Sequence, residues 1–327
     1  MATTTVDTIT IDGHNHHRPH QQQQQCGPNY HIRYMTETDV PEVLQIWGDN
    51  NLHEGTHTIQ SFLKVDPEGF VVAVDDRTGQ VLGMCAGVFI NPDTGFIGLY
   101  GVDPVYQKLG IGLNMWQKIM AHIGDRNAGL YAVPEHLVMY RDRAGFARED
   151  SRQMVLYDGE SVRLRDLVKS MDGIRVEPIV GDQLVERVVD YDNRGVHRYS
   201  RSRLLPGVFR EPDSVALVAV DEYDDQVVGY GCMRTNNIGK AMAGPVYANN
   251  DALAELLVYS LIDRFPTAQT RGLLFMTLDS NPGGIRIADK LGLGKQEQLP
   301  RFFNKFVYTD AQWDRVYCIH SPNFAIF

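Results

Sequence analysis

Two histidines and a glutamate stand close together in the segment 53–57, whose sequence is HEGTH. On one continuous helix, His53 and His57 would lie one turn apart and could bind zinc, while Glu54 would activate a metal-bound water. The segment does not favour such a helix, because its central glycine and threonine are poor helix formers and Pro67 follows soon after. We therefore predict no metal here, and the role of the three residues depends on the rest of the chain.

A second segment, residues 107–112, has the composition of an anion-binding loop. Its sequence is QKLGIG, and it follows a predicted strand that ends at Val102. Gly110 and Gly112 let the backbone approach a ligand, and free N–H groups at the start of the next helix point at it with the positive dipole end behind them. A diphosphate fits such a loop. The segment lacks both the third glycine of a dinucleotide-binding fingerprint and the Gly-Lys-Ser/Thr of a P-loop.

The same segment resembles motif A of the GNAT superfamily of N-acetyltransferases, in which a strand ending V-x-P-x-Y is followed by Q/R-x-x-G-x-G/A. The matching residues in this chain are Val102, Pro104, Tyr106, Gln107, Gly110 and Gly112. The resemblance covers residues 30–157 well and residues 173–308 in outline. It implies an α+β fold with two tandem GNAT-like domains, each a mixed, mostly antiparallel sheet flanked by helices.

The resemblance also implies that acetyl-CoA is the co-substrate, and it implies how that molecule is held. Backbone groups of Tyr100, Gly101 and Val102 would flank the pantetheine and offer an N–H group to the thioester oxygen. The residues expected to hold the pyrophosphate are Gln107, Lys108, Leu109, Gly110, Ile111 and Gly112. Lys108 would add a positive charge to this loop.

A tyrosine is the expected general acid of the reaction. Family members use a tyrosine early in the last helix to protonate the CoA sulfur, and Tyr140 holds that place in the segment 139–146, MYRDRAGF. This chain has one residue more between the tyrosine and the Gly-Phe pair than the commonest spacing.

The general base is not evident from the family pattern. The segment 96–102, FIGLYGV, contains no carboxylate where many relatives place a base. His53, Glu54 and His57 lie in the segment that borders the acceptor pocket in this family, so they become candidates for gripping or deprotonating an amine. The later histidines His122 and His136 are expected at the surface.

Composition excludes several classes of protein. The net charge of −10 provides no basic excess for nucleic acid and mildly favours a cationic substrate. No apolar run is long enough to cross a membrane, the N-terminus does not resemble a secretion signal, and the four cysteines are well separated. We expect a cytoplasmic protein, with the nucleus left open as a second compartment, that is a monomer or a weak dimer.

The chain contains an internal duplication, because residues 215–233 repeat the pattern of residues 69–87 in the same structural order. At 327 residues, two domains are also expected from length. The predicted division is a disordered His/Gln-rich tail (1–29), an N-terminal GNAT domain with the acyl-CoA site (30–157), a linker (158–172) and a degenerate C-terminal GNAT-like domain (173–327).

The second copy lacks the anion-binding loop. Residues 249–252, with the sequence NNDA, stand at the corresponding place, and the charge of Asp251 would repel a pyrophosphate at the helix N-terminus. We therefore predict a single acyl-CoA site, in the first domain. The second domain would either wall the acceptor site, as in a GNAT dimer, or contribute stability alone.

The function implied by the resemblance is transfer of an acetyl group from acetyl-CoA to a primary amine of a small molecule, by direct attack in a ternary complex. Two alternatives stay open: a protein or peptide N-acetyltransferase, which would need an open groove, and a non-catalytic acyl-CoA-binding protein. The sequence does not reveal the acceptor, the acyl length or the general base.

Overall fold

The computed structural model of the chain describes residues 27–324. The predicted disordered tail therefore lies outside the described residues except for 27–29, where the carbonyl of Asn29 accepts a hydrogen bond from the backbone of Asp76 at 2.9 Å. Within residues 27–324, no helix is both long and apolar enough to cross a membrane.

The first half of the chain contains the predicted strands and helices up to residue 131, followed by two short strands that were not predicted. They are β1 (Tyr30–Tyr34), α1 (Val40–Asp49), α2 (Thr58–Leu63), β2 (Phe70–Asp75), β3 (Val81–Phe89), β4 (Thr94–Val102), α3 (Ile111–Ile123), β5 (Asn127–Tyr131), β6 (Arg148–Glu149) and β7 (Met154–Gly159). One turn of π-helix, Met139–Arg143, lies between β5 and β6. Helix α3 packs on the sheet through buried residues that recur at helical spacing, from Ile111 through Met115 and Ile119 to Ile123.

The second half repeats this order, as the duplication predicted. Its elements are β8 (Ile174–Pro178), α4 (Asp182–Asp192), α5 (Leu205–Val208), β9 (Ser214–Asp221), β10 (Val227–Thr235), β11 (Ala241–Ala248), α6 (Asp251–Arg264), α7 (Thr267–Thr270), β12 (Leu273–Leu278), α8 (Pro282–Leu291), β13 (Gly294–Leu299), β14 (Arg301–Phe303) and β15 (Val316–Cys318).

The strands form two mixed sheets. The first has the order β1-β2-β3-β4-β5-β14-β6, and the second has the order β13-β7-β12-β11-β10-β9-β8, with β15 added on β11. Pairing is parallel between β4 and β5 and between β11 and β12, and antiparallel elsewhere in both sheets as described. The predicted fold class, two α+β domains with mixed, mostly antiparallel sheets, is confirmed.

Each half of the chain gives one strand to the sheet of the other half. Strand β14 lies between β5 and β6 in the first sheet, and β7 lies between β12 and β13 in the second. The predicted boundary at 157/158 therefore falls inside β7, which belongs to the second sheet. A buried ion pair accompanies the exchange, since Arg301 Nε lies 3.0 Å from Asp150 Oδ2. Apolar alternation marks a strand but does not specify which sheet it joins.

The two halves also share one hydrophobic core. Leu99 and Phe62 from the first half belong to the same buried cluster as Met276, Ile319 and Phe324 from the second. The chain after β15 thus returns to the first half and packs there, with the Phe62 and Phe324 rings 4.6 Å apart. A contact of this kind, together with the exchanged strands, joins the halves into one structural unit.

Candidate functional site

A gap opens in the first sheet between β4 and β5. The two strands pair in parallel only as far as Ile97 and Leu130. Beyond this point β4 contains a bulge, in which Leu99 has a φ of +49° and the register with β3 shifts. Strand β5 instead continues beside β14, where Tyr131 pairs with Arg301. Because a bulge bends its strand away from a neighbour, the edge of β4 after Ile97 faces open space.

A cavity of about 760 Å³ lies at this gap. Its lining from the first half includes Trp47, Leu52, His53, Ile97, Leu99, Tyr100, Leu130, Tyr131, His136 and Tyr140. Its lining from the exchanged strand β7 and the second half includes Met154, Leu156, Met242, Leu274, Met276, Glu297, Leu299, Pro322 and Asn323. The cavity is therefore built by both halves of the chain, and its volume is in the range of small-molecule sites.

The loop 107–112 has an open conformation in front of helix α3. Gly110 is the N-cap residue with a φ of +79°, and no atom lies within 4 Å of the place where its Cβ would be. Lys108 and Leu109 beside it are exposed. The first backbone N–H groups of α3 have no intrahelical acceptor and carry the positive end of the dipole. Space, donors and a cation together fit a diphosphate.

Gln107 braces this loop rather than facing outward. Its side-chain amide donates to the carbonyl of Val102 at 3.2 Å and lies 3.3 Å from Asn50 Oδ1. These contacts connect the loop to the end of β4 and to helix α1. Gln107 thus fixes the position of the loop, and the residues after it are the ones open to a ligand.

The three residues predicted to flank the pantetheine lie at the end of β4. Tyr100 is buried and lines the cavity. Gly101 and Val102 pair with β3 through Met84 and Gly83, so one edge of β4 is satisfied and the other faces the gap. A side chain at position 101 would meet the ring of Trp47 at 3.2 Å. The backbone there is therefore close to the cavity.

Tyr140 lies in the cavity wall, and the structure explains its unusual spacing. The backbone N–H of Ala144 donates to the carbonyl of Met139 at 3.0 Å, an i to i+5 bond that makes one turn of π-helix. The wider turn absorbs the extra residue before Gly145. Burial raises the pKa of the Tyr140 hydroxyl well above its ordinary value, and the nearby Cys85 adds to this. The hydroxyl therefore stays protonated and can donate.

His53 is the residue of the HEGTH segment that lines the cavity. Its Nδ1 is buried and has no hydrogen-bond partner within residues 27–324. Burial lowers the pKa of the imidazole below its ordinary value of 6.5, Asp158 raises it, and Lys240 lowers it. The ring is therefore neutral at physiological pH and free to accept a proton at a buried nitrogen.

Glu54 lies behind His53, outside the cavity. Its fully buried carboxylate accepts hydrogen bonds from Ser321 Oγ at 2.6 Å and from Asn323 Nδ2 at 2.9 Å. Asn323 Nδ2 also lies 3.1 Å from the carbonyl of His53. Burial raises the pKa of Glu54, while these donors lower it. Glu54 thus secures the C-terminal segment and the backbone that carries His53.

His57 points away from the cavity and towards the second half. Its Nε2 lies 3.6 Å from Asp213 Oδ1, and the adjacent Thr56 backbone donates to the carbonyl of Thr235 at 3.1 Å. The HEGTH segment precedes helix α2 instead of lying within a helix. His53, Glu54 and His57 therefore do not converge on one point. Within residues 27–324, no three side chains of histidine, cysteine, aspartate or glutamate form a metal-binding group.

Several cavity residues were not anticipated from the sequence. His136, expected at the surface, lines the cavity. His122 is mostly buried, with its Nε2 3.0 Å from Asp66 Oδ2. Pro322 and Asn323 come from the far end of the chain, and the carbonyl of Asn323 packs so closely on Gly98 that a Cβ there would lie 1.8 Å from it. That glycine, inside a strand, was the available signal of a close backbone approach.

The corresponding gap in the second sheet is filled by the chain itself. Strand β15 pairs with β11, where Val246 faces Cys318, and the next residue, Ile319, donates to the carbonyl of Met276 at 2.9 Å. Asp251, at the start of α6, accepts a hydrogen bond from the Tyr317 hydroxyl at 2.7 Å. A protein strand and a carboxylate thus occupy the places that are open in the first half.

Comparison with known families identifies the chain as a member of the acetyltransferase (GNAT) family. The model of the acetyltransferase (GNAT) family matches residues 32–144, and that of an acetyltransferase (GNAT) domain matches residues 188–318. The protein therefore belongs to this family and contains two GNAT domains in tandem. No curated protein matches the chain.

Solved structures share the fold. An acetyltransferase candidate from Pyrococcus horikoshii is 21% identical with a TM-score of 0.67, covering 94% of this chain and 100% of its own. A tandem GNAT protein from the clavulanic acid biosynthesis pathway is 15% identical with a TM-score of 0.57, covering 84% and 98%. A GCN5-related N-acetyltransferase from Sphaerobacter thermophilus is 14% identical with a TM-score of 0.55, covering 84% and 95%. At these identities the likeness concerns the fold.

Proposed function

We propose that this protein transfers an acetyl group from acetyl-CoA to the primary amine of a small molecule, by direct attack in a ternary complex. The observation that supports this most is the continuity of three features in the first domain. The open loop at Gly110 follows β4 in the chain, β4 separates from β5 after Ile97, and the β4 residues at this gap line the cavity together with Tyr140 and His53. They fit the diphosphate, the pantetheine and the reacting groups in that order.

Acetyl-CoA would supply an activated acyl group on a thiol leaving group. Lys108 and the N–H groups at the start of α3 would bind its diphosphate, with Gly110 leaving the space for it. Backbone groups from Leu99 to Val102 would flank the pantetheine and donate to the thioester oxygen, where negative charge develops. Because the pairing of β4 with β5 ends at Ile97, this edge of β4 is available for that contact.

Proton movement requires a base and an acid. The amine loses a proton as its nitrogen bonds to the acetyl carbon, and the sulfur gains one as the carbon–sulfur bond breaks. His53, neutral and with an unpartnered Nδ1, is the proposed acceptor of the first proton. Tyr140, kept protonated by burial, is the proposed donor of the second. Glu54 holds the backbone at His53 through Asn323 and does not itself react.

The shape of the site supports a small acceptor rather than a protein. The second domain and the C-terminal residues Pro322 and Asn323 form part of the cavity wall. An extended peptide needs an open groove, whereas a cavity enclosed from two domains fits a small molecule. Because both halves of the chain contribute to the cavity wall, we propose that the monomer is active.

The test is thiol release from acetyl-CoA by the full chain with a panel of primary amines, followed by identification of the amide. We expect turnover with at least one amine and a loss of about 10²-fold or more in kcat for Tyr140→Phe. Tyr308→Phe is the matched control, because Tyr308 is buried outside the cavity lining and its hydroxyl lies 3.2 Å from the carbonyl of His197.

Tight binding of acetyl-CoA without turnover on any amine would instead support the non-catalytic acyl-CoA-binding protein. An equal loss of activity in Tyr140→Phe and Tyr308→Phe would remove the assignment of Tyr140 as the general acid.

A further inference from the structure

The cavity wall contributed by the second sheet is apolar throughout its central part. The side chains there are Met154, Leu156, Met242, Leu274, Met276 and Leu299. Leu156 of β7 and Met276 of β12 face each other directly across the strand pair. Alternate residues of β7, Val155 and Tyr157, pack on the other face of the sheet in a separate core. Met154, Leu156 and Met276 therefore lie on the face of the second sheet that borders the cavity, and the remainder of this face packs in the core shared by the two halves.

Apart from Glu297 and Asn323, the polar side chains of the cavity lining belong to the first domain, on the other side. His53 has its unpartnered Nδ1 there, and the hydroxyls of Tyr100 and Tyr140 belong to the same part of the lining. An acceptor must place its nitrogen near these groups for proton transfer. The remainder of the molecule then lies against methionine and leucine side chains, which offer no strong hydrogen-bond partners.

We propose, on the basis of the acetyl transfer proposed above, that the acceptor is a primary monoamine with an apolar body, aliphatic or aromatic, and that the second domain selects it. An amino sugar would bury several hydroxyl groups against this wall without partners, and a polyamine would bury a second ammonium group; both are costly. An apolar body gains free energy from the same contact, and the two methionines Met154 and Met276 adapt to its shape.

Charge near the cavity fits the ammonium group of such an amine. Glu297 of β13 lines the cavity and is exposed. Lys240, close enough to His53 to lower its pKa, is itself bonded to Asp158 at 3.0 Å and to Glu160 at 2.7 Å. In this cluster, two carboxylates surround the one ammonium group of Lys240, and with Glu297 they attract a cation before it gives up its proton.

A CoA thioester with an acyl chain longer than acetyl would also place an apolar group against this wall. Such a chain carries no charge and would not account for the carboxylates near His53. The assignment to the amine therefore rests on the combination of an apolar wall with acidic surroundings. Experiments that vary the amine and the acyl group separately distinguish the two.

The test uses the full chain and measures kcat/KM for n-alkylamines from ethylamine to hexylamine, and for 2-phenylethylamine, glucosamine and spermidine, at saturating acetyl-CoA. Each added methylene is expected to raise kcat/KM about 3- to 4-fold until the cavity is filled. 2-Phenylethylamine should exceed both polar amines. A second arm varies the acyl group from acetyl-CoA to hexanoyl-CoA with ethylamine fixed, and kcat/KM should not rise along it.

Substitutions at Leu156 and Glu297, with one control, test which residues of the cavity cause the preference among amines. Leu156→Asn, at a half-buried position of the wall, should flatten the dependence of kcat/KM on amine length. Leu164→Asn is the matched control, because Leu164 is half-buried and lies outside the cavity. Glu297→Gln should raise KM for hexylamine about 2- to 5-fold with kcat unchanged.

Preference for glucosamine or spermidine over 2-phenylethylamine would overturn the inference and leave the proposed function intact. A rise along the acyl series with a flat amine series would likewise overturn it, because the wall would then hold the acyl chain. Absence of thiol release with every amine would overturn the proposed function and the inference with it.

Discussion

Asn323 stands 270 positions after His53 in the chain, and its side-chain amide donates to the backbone carbonyl of His53 at 3.1 Å. The same amide also donates to the buried carboxylate of Glu54 at 2.9 Å. The last described residues of the second domain thus hold the proposed base of the first domain in place. This relationship connects the fold to the chemistry, because the position of His53 depends on a segment that belongs to the other half.

Asn323→Ala should therefore impair catalysis without impairing binding of acetyl-CoA. We expect kcat to fall about 10-fold or more, since small displacements of a reacting group are costly, and the free energy of unfolding to fall by about 1–3 kcal/mol. Steady-state kinetics and denaturant unfolding measure the two effects. Asn304→Ala, which removes a 2.8 Å bond to the backbone of Ala128 away from the cavity, should lower stability alone. Equal kcat in the two variants would refute the positioning role.

The pH dependence of kcat separates the two histidines of the HEGTH segment. His53 accepts a proton only when neutral, and burial lowers its pKa below 6.5, so kcat should decrease only as the pH falls through that lowered value. His53→Gln should lose this acid limb and about 10²-fold in kcat. His57→Gln should keep both, because His57 faces Asp213 outside the cavity. An acid limb that persists in His53→Gln would assign it to another group.

The anion-binding loop is tested by substituting glutamate for glycine. Gly110→Glu places a negative charge in the open space at the start of α3, and we expect calorimetry to detect no acetyl-CoA binding. Gly181→Glu is the matched control: Gly181 is the N-cap of α4 with a φ of +78°, and its Cβ position is equally open. Gly110, with a ψ of 1°, is in the left-handed region, whereas Gly181, with a ψ of 148°, is in a region that strains other residues more, so backbone strain alone would affect the control more. Retained binding in Gly110→Glu would show that the diphosphate lies elsewhere.

Breaking the buried ion pair of the exchanged strand β14 should lower the free energy of unfolding substantially. Arg301 and Asp150 are both fully buried, and Arg301→Ala leaves the carboxylate with Arg152 as its other guanidinium partner, whose Nε lies 2.8 Å from Asp150 Oδ1. We expect the free energy of unfolding to fall by about 3 kcal/mol, at the low end for a broken buried ion pair. Arg210→Ala breaks an exposed pair with Asp182 and should cost less than about 1 kcal/mol. Denaturant unfolding compares them. Similar small effects in both would mean that β14 contributes little to the first sheet.

Stability should fall in mild acid because of buried histidines. Burial, with Arg234 and Arg201 nearby, holds the pKa of His320 well below 6.5. Below about pH 6.5 the unfolded chain therefore binds more protons than the folded one, and stability decreases as the pH falls. His320→Asn should show a shallower decrease than the wild type. Identical pH slopes for wild type and His320→Asn would exclude His320 as the cause.

Local sequence patterns predicted much of this structure. The residues around Gly110 specify a loop and a helix start by their own conformational preferences, and continuous apolar runs bounded by turn residues marked strands such as β2 and β9. The repeat of one pattern in the other half predicted the second domain. The extra residue after Tyr140 did not move it from the cavity, because one π-turn at Ala144 absorbed it.

Features that depend on distant parts of the chain could not be predicted. The pattern of β7 or β14 is compatible with either sheet, so the strand exchange and the boundary it crosses were missed. Glu54 was a candidate for gripping or deprotonating the amine because it is a carboxylate. Its hydrogen-bond partners Ser321 and Asn323, which give it a structural role, lie at the other end of the sequence and could not be recognised from it. The apolar wall of the cavity could not be predicted for the same reason, because its residues come from several strands of the second sheet that only the fold brings together.

The most direct test of the proposed function follows a radiolabelled acetyl group from acetyl-CoA in the presence of the full chain and 2-phenylethylamine or hexylamine. The label should appear in an amide of the amine with wild-type protein and Gly181→Glu, and not with Gly110→Glu. Label that remains in acetyl-CoA with every amine, although the wild type binds acetyl-CoA, would contradict the account.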